Sequence, residues 1–389
     1  MKKIFRKIHL WLSVPFGIFI TLICFSGAMM VFEKEITEWL RPDLYFVEEV
    51  GAQPLPLDRL MEEVSATLPD DVSATGVTIS PDRRRTWQVS LSQPRRASVY
   101  VDPYTGEIKG RNERLAFFDT MFHLHRWLMG SSGNDGNLSW GKLIVGVSTL
   151  ALVIILLTGI LMWLTNRRKP LTKSLTISFT KGWPRFWHDL HVAGGIYVTI
   201  FLLALALTGL TWSFSWYRTG FYSLFGAETN AERSNGHTSH ERSSRKNQHD
   251  DAGARTRRSL FAHWQEVYEA LAQTHPDYQQ MTISTGSASV VPAGRHSLRA
   301  GEQYGFDKRS GQITSHKPYT EQDRSTKIRS MVYTVHVGSW GGMLTRIITF
   351  LAALLGATLP LTGYYLWIRK LLNKSKHKEN AYICRKENR

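Results

Sequence analysis

The sequence predicts an α-helical membrane protein: four transmembrane helices arranged as two parallel repeats, each repeat carrying an α/β lobe outside the membrane. Three observations carry this. Four apolar runs are each long enough to cross about 30 Å of hydrocarbon at 1.5 Å per residue. The basic charge falls on one side of those runs. The two halves of the 389-residue chain repeat the same pattern.

The apolar runs cover residues 10–32, 141–164, 191–216 and 346–368. The first follows Lys2, Lys3, Arg6 and Lys7, as a signal peptide would. It is too long for a signal core and has His9, Trp11 and Pro15 near its start, so it is expected to be retained.

The net charge of +16 has a topological origin. The stretch before the first run, the link 165–190 and the tail 369–389 together hold 18 basic and three acidic residues. The rest holds 30 basic and 29 acidic residues and is nearly neutral. By the positive-inside rule both termini and the link are cytoplasmic, and 33–140 and 217–345 lie outside. The basic balance is then no argument for nucleic-acid binding. The two cysteines, Cys24 in an apolar run and Cys384 in the tail, do not suggest a disulfide framework.

The repeat is visible residue by residue. His9, sixteen residues, Ser26-Gly27, four residues and Phe32 match His191, sixteen residues, Thr208-Gly209, four residues and Phe214. The second run ends Thr158-Gly159, three residues, Trp163, and the fourth ends Thr362-Gly363, three residues, Trp367. Trp140-Gly141 and Trp340-Gly341 precede them. Both halves start in the cytoplasm, so the symmetry axis runs along the membrane normal, pairing helix one with three and two with four. In the outer segments 57–68 and 262–274 have helical spacing. Val99 to Val101, the turn Asp102-Pro103-Tyr104-Thr105-Gly106 and Ile108 predict two strands, matched by the Asp307-Lys308-Arg309-Ser310-Gly311 turn. Residues 228–258 are polar and repetitive, and disorder is expected there.

Ionisable groups at membrane depth are costly and usually functional. His9 and His191 open their helices on the cytoplasmic side, and His125 and His336 precede theirs on the outer side. Across the axis, His9 with His191 and His125 with His336 could fill both axial positions of a haem iron, one haem near each face. Taken singly, each is an ordinary interfacial histidine, and the matched positions favour ligation. A copper or non-haem iron site fits less well, because the four lie at two depths. Either of His123 and His125, and either of His188 and His191, could ligate. The spacing of His9 favours His191, and His125 is taken for the outer pair. Gly27 shares a face with His9, and Gly209 with His191, and small residues there would make room near the outer end for a flat macrocycle or for close helix packing.

The motifs Arg6-x-x-His9, Leu124-His125, Asp189-Leu190-His191 and His336-x-Gly338, with the two Asp-x-x-Thr/Ser-Gly turns, resemble the PepSY-associated transmembrane family, in particular its iron-regulated siderophore-reductase members. The resemblance covers most of the chain outside 228–258. It implies PepSY-like periplasmic lobes, two b haems and a place in the bacterial inner membrane. It implies an oxidoreductase that passes electrons to periplasmic ferric siderophores and releases Fe(II). The chain departs from the pattern in Ser310 and in the polar insert.

No Gly-x-Gly-x-x-Gly, P-loop, His-Glu-x-x-His or Gly-x-Ser-x-Gly motif occurs, so electrons would come from a cytoplasmic partner or quinol. The competing expectation is a non-enzymatic membrane-anchored protein whose lobes bind peptides, a protease or a siderophore.

Overall fold

The computed structural model describes residues 2–94, 97–130, 139–165, 175–227, 261–295 and 297–387. The insert predicted at 228–258 lies outside them, as does 166–174 of the basic link. Two compact units emerge, one of residues Met1–Glu33, Ala116–Phe221 and Val332–Arg389, the other of Lys34–Leu115 and Tyr222–Met331.

The first is a helical bundle. Its long helices are α1 (Lys2–Met30), α6 (Trp140–Leu164), a segment beginning with α7 (Trp183–Asp189) and continuing into α8 (Gly195–Ser213), and α12 (Gly342–Glu387). Among the described residues, four stretches are long and apolar enough to span a bilayer: Lys3–Met30, Trp140–Leu164, Trp183–Ser213 and Ser339–Asn373. The chain is therefore a membrane protein. The helices start earlier than the apolar runs predict, because the basic and aromatic residues flanking each run continue the same backbone hydrogen bonding. Between α7 and α8, Leu190–Gly194 form one π-helical stretch. Around the bundle α1 packs on α6 and α12, and α8 packs on the same two, so α1 and α8 are diagonal. Two shorter helices belong to this unit, α5 (Ala116–Trp127) before α6 and the end of α11 (Arg324–His336) before α12. Arg346 donates to the Val31 carbonyl and lies over the Phe32 ring, tying α12 to the end of α1.

The second unit is one antiparallel sheet. Its strands are β1 (Ala74–Ile79), β2 (Trp87–Leu91), β3 (Ser98–Val101), β4 (Ile108–Arg111), β5 (Tyr278–Ser284), β6 (Ser287–Pro292), β7 (Glu302–Phe306) and β8 (Ile313–Lys317). Their order is β4-β3-β2-β1-β5-β6-β7-β8. The sequence predicts a separate lobe in each half. The structure instead joins both sets of four strands through the β1–β5 pair, where Val77 faces Ile283 and Thr78 faces Thr282. The two threonine hydroxyls hydrogen-bond across this seam at 3.0 Å. Helices α4 (Leu57–Thr67) and α10 (Trp264–Thr274) contribute to one shared core. Leu60, Met61 and Val64 meet Trp264, Val267 and Leu271 there, over Val77, Val89, Met281 and Ile283. The backbone N–H of Leu57 donates to Gln265 Oε1 at 2.9 Å, joining the helices.

The two predicted turns form as the sequence requires. Asp102 Oδ1 accepts from the Tyr104 N–H at 2.8 Å, and the Gly106 N–H reaches the Asp102 carbonyl at 3.0 Å. In the second, the Gly311 N–H donates to the Asp307 carbonyl at 2.8 Å and the Ser310 hydroxyl to Asp307 Oδ2 at 2.9 Å. Gly106 and Gly311 have φ of +75° and +68°, a region where a side chain is strained. Both strand pairs carry a register irregularity beside the turn, at Tyr100/Val101 and Gly305/Phe306.

Candidate functional site

The four predicted histidines form two pairs inside the helical bundle. His9 of α1 and His191, in the π-helical stretch, have ring centres 6.4 Å apart with planes at 90°. His125 of α5 and His336 of α11 have ring centres 6.1 Å apart with planes at 56°. A π-helical turn aims a side chain in a direction a regular helix does not offer, and such turns recur at functional sites. Along α1 the eighteen residues from His9 to Gly27, where His125 packs, rise about 27 Å, so the pairs are separated by nearly a bilayer core.

Each ring is held in the same way by a neighbouring helix. The Nδ1 of His9 lies 3.0 Å from the Ile155 carbonyl and 3.2 Å from Thr158 Oγ1. The Nδ1 of His191 lies 3.1 Å from the Leu359 carbonyl and 2.9 Å from Thr362 Oγ1. The Nδ1 of His336 lies 3.1 Å from the Leu205 carbonyl and 3.0 Å from Thr208 Oγ1. The Nδ1 of His125 lies 2.8 Å from the Ile23 carbonyl. A carbonyl only accepts, so each Nδ1 carries the hydrogen and donates it. The Nε2 lone pair is left over in all four rings, which is the tautomer a metal ligand needs.

The threonines and Ser26 belong to the Ser/Thr-Gly pairs of the sequence repeat, and the glycines have a physical reason. A Cβ added to Gly27 would stand 2.9 Å from Cε1 of His125. At Gly209 it would stand 3.2 Å from Cε1 of His336, at Gly363 3.3 Å from that of His191, and at Gly159 3.6 Å from that of His9. Each glycine backs an imidazole from another helix: Gly27 and Gly209 lie against His125 and His336 at the outer end where small residues are expected, and Gly159 and Gly363 against His9 and His191. Within each half the arrangement is reciprocal: the histidine on one spanning helix rests on the other's glycine, and the histidine preceding the second rests on the first's.

The competing histidines lie apart from the pairs. His123 is 3.8 Å from Asp119 Oδ1 and packs on Trp127 at 5.0 Å. His188 is 3.2 Å from Asp189 Oδ1, and the buried Asp189 also accepts from Arg185 Nε at 2.7 Å. One neighbour that the sequence gave no reason to select is Trp212, whose ring meets His336 at 5.0 Å.

The spacing of the pairs tests what they could hold. An imidazole nitrogen sits about 2.0 Å from a bound first-row metal and about 1.1 Å from its ring centre, so two rings on opposite sides of one ion are roughly 6.2 Å apart. At a tetrahedral angle the same rings would be roughly 5.1 Å apart. The observed 6.4 and 6.1 Å lie nearer the opposed spacing than the tetrahedral one. Among the described residues no group of three or more His, Cys, Asp or Glu side chains is placed to hold a metal ion. Two opposed imidazoles fit an ion whose other ligands arrive with it, as in haem.

The helices and the site define a membrane protein with four candidate spans among its described residues and two imidazole pairs, one toward each end of its bundle. The chain belongs to the PepSY-associated TM region family, whose model matches residues 6–370. A comparison with curated proteins gives no match.

Proposed function

We propose that the protein is an inner-membrane di-haem electron-transfer protein that reduces ferric siderophores on the periplasmic side and releases Fe(II). The observation that supports the reading is the pair of neighbouring histidines at each end of the bundle, every ring tied through Nδ1 so that Nε2 is left to ligate. His9 and His191 would hold the cytoplasmic haem b, and His125 and His336 the periplasmic one. A haem in each place supplies one-electron transfer. The chain's own contribution is to fix ring tautomer and tilt through the four carbonyls and to back the rings with glycine. The carbonyl bonds also raise the electron density of the ligating nitrogen.

The orientation rests on the basic stretches flanking the spans, which support cytoplasmic termini. The two halves read as parallel repeats about an axis along the membrane normal, each with a PepSY-like portion of the sheet. The ferric siderophore is the substrate, and reduction loosens the grip of its hard oxygen ligands on iron. Electrons come from a cytoplasmic partner or from quinol.

The test is a dithionite-reduced minus oxidised spectrum of the purified protein, with haem quantified as the pyridine complex. The expected result is a b-type signal with two haems per chain, falling to one in the His125→Ala/His336→Ala double variant and in His9→Ala/His191→Ala. Absence of haem, or undiminished haem in either double variant, would overturn the proposal. Stopped-flow oxidation of the reduced protein by ferric siderophores then tests the substrate class.

A further inference from the structure

Two short helices outside the spanning segments expose large apolar side chains. Helix α2 (Glu33–Leu40) follows α1, and α9 (Ser215–Leu224) follows α8. On α2, Ile36, Trp39 and Leu40 share one face by their spacing and are 40, 79 and 51% exposed. Its polar residues other than Lys34 turn inward. Thr37 is buried, and Glu38 accepts two bonds from Arg85, at 2.9 and 3.0 Å. Glu33 and Glu35 are partly buried and also have partners. On α9, Tyr222 is buried while Trp216 and Leu224 are 64 and 83% exposed, with Phe225 just beyond at 50%. A helix facing water buries its apolar stripe; α2 exposes its stripe, and α9 exposes Trp216 and Leu224 beside the exposed Arg218.

We propose that α2 and α9 lie in the headgroup layer of the bilayer, with Ile36, Trp39, Leu40, Trp216, Leu224 and Phe225 turned to lipid. Chain connectivity selects lipid over other occupants. Two residues separate α2 from the spanning helix α1, and one separates α9 from α8. An extended chain covers at most about 3.5 Å per residue, so each helix starts within roughly 10 Å of the end of a span. The headgroup layer is about 5–8 Å deep on each side. Tryptophan is the residue that this layer prefers, and the exposed Lys34 and Arg218 reach phosphates from the same helices. The proposal is independent of what the histidine pairs bind.

The test is spin labelling of the full chain in nanodiscs holding one copy each, in a Cys24→Ser/Cys384→Ser background. Labels go at Trp39→Cys and Leu224→Cys. Ile200→Cys on a spanning helix serves as the lipid reference and Arg84→Cys as the water reference. Power saturation with oxygen and with the nickel chelate NiEDDA reads the surroundings. The expected oxygen-to-nickel accessibility ratio at positions 39 and 224 is severalfold above that at 84 and approaches that at 200. A ratio equal to that at 84 means water and overturns the proposal. Shielding from both reagents means that protein covers the face, and overturns it equally. Monodisperse particles show that each labelled variant has folded.

Discussion

Substituting Gly27 by alanine puts a methyl group 2.9 Å from Cε1 and 3.1 Å from Nδ1 of His125. Ordinary contact begins near 3.4 Å, so the ring must retreat by at least about 0.5 Å or the helices must part. The ring is tethered to α1 by the 2.8 Å bond to the Ile23 carbonyl, which such a shift stretches beyond about 3.2 Å, where a hydrogen bond is weak. Overpacking costs about 1–3 kcal/mol and the weakened bond about 0.5–1.5 kcal/mol. Disturbing an outer partner of a metal-bound histidine typically costs about 10- to 100-fold in affinity. Gly159→Ala is the internal control. Its methyl group would sit 3.6 Å from Cε1 of His9, an ordinary contact, and alanine favours a helix by roughly 0.8–1 kcal/mol over glycine. Haem per chain is measured on detergent-purified protein, with gel filtration to confirm folding. Gly27→Ala is expected to fall toward one haem, with the survivor held by His9 and His191, and Gly159→Ala to keep two. Equal behaviour of the two variants would refute the idea that glycine is there to admit the imidazole.

Thr362→Val removes one acceptor from His191 and leaves the Leu359 carbonyl at 3.1 Å, so the inner haem should remain but shift its midpoint potential. Loss of that haem altogether would show the hydroxyl to be the main hold. Asp323 caps α11, the helix that ends in His336, accepting from the Thr326 N–H at 3.1 Å and Oγ1 at 3.0 Å and from the Ser325 hydroxyl. The Ser325 bond first, then those from Thr326, pull its carboxyl down to about 2. Because the folded value is depressed, the cap's contribution is complete above the unfolded value near 4 and disappears as pH falls through about 2. Asp323→Ala should cost about 1 kcal/mol or less at neutral pH, and its difference from the parent in thermal unfolding should vanish in that acid window. Gly76→Ala would bring a Cβ to 2.7 Å from Ser284 Oγ and 3.0 Å from the Ile283 carbonyl at the β1–β5 seam. A melting temperature lowered by a few degrees is expected, and an unchanged one would mean that the seam yields freely.

The four spans were legible because the apolar runs and the charges beside them answer directly to the bilayer. The turns at Asp102–Gly106 and Asp307–Gly311 were legible because aspartate and glycine satisfy local backbone needs. The predicted helices at 57–68 and 262–274 correspond to α4 and α10, Leu57–Thr67 and Trp264–Thr274, since each buries one periodic face. The Ser/Thr-Gly pairs were visible as a pattern, but the imidazoles that the glycines back were not. Sequence spacing along one helix says which residues share its face. It does not say which other helix reaches that face.

By itself the sequence determined a four-span membrane chain with a repeated histidine pattern, since hydrophobic length, charge and periodicity are properties of segments. Which histidines meet depended on tertiary structure. His125 rather than His123 faces His336, and His191 rather than His188 faces His9. The choice is made by carbonyls and glycines on neighbouring helices and by a π-helical stretch at Leu190–Gly194. The joining of eight strands into one sheet was likewise decided in three dimensions, because a pairing such as β1 with β5 is a contact between residues some 200 positions apart, Thr78 and Thr282 among them.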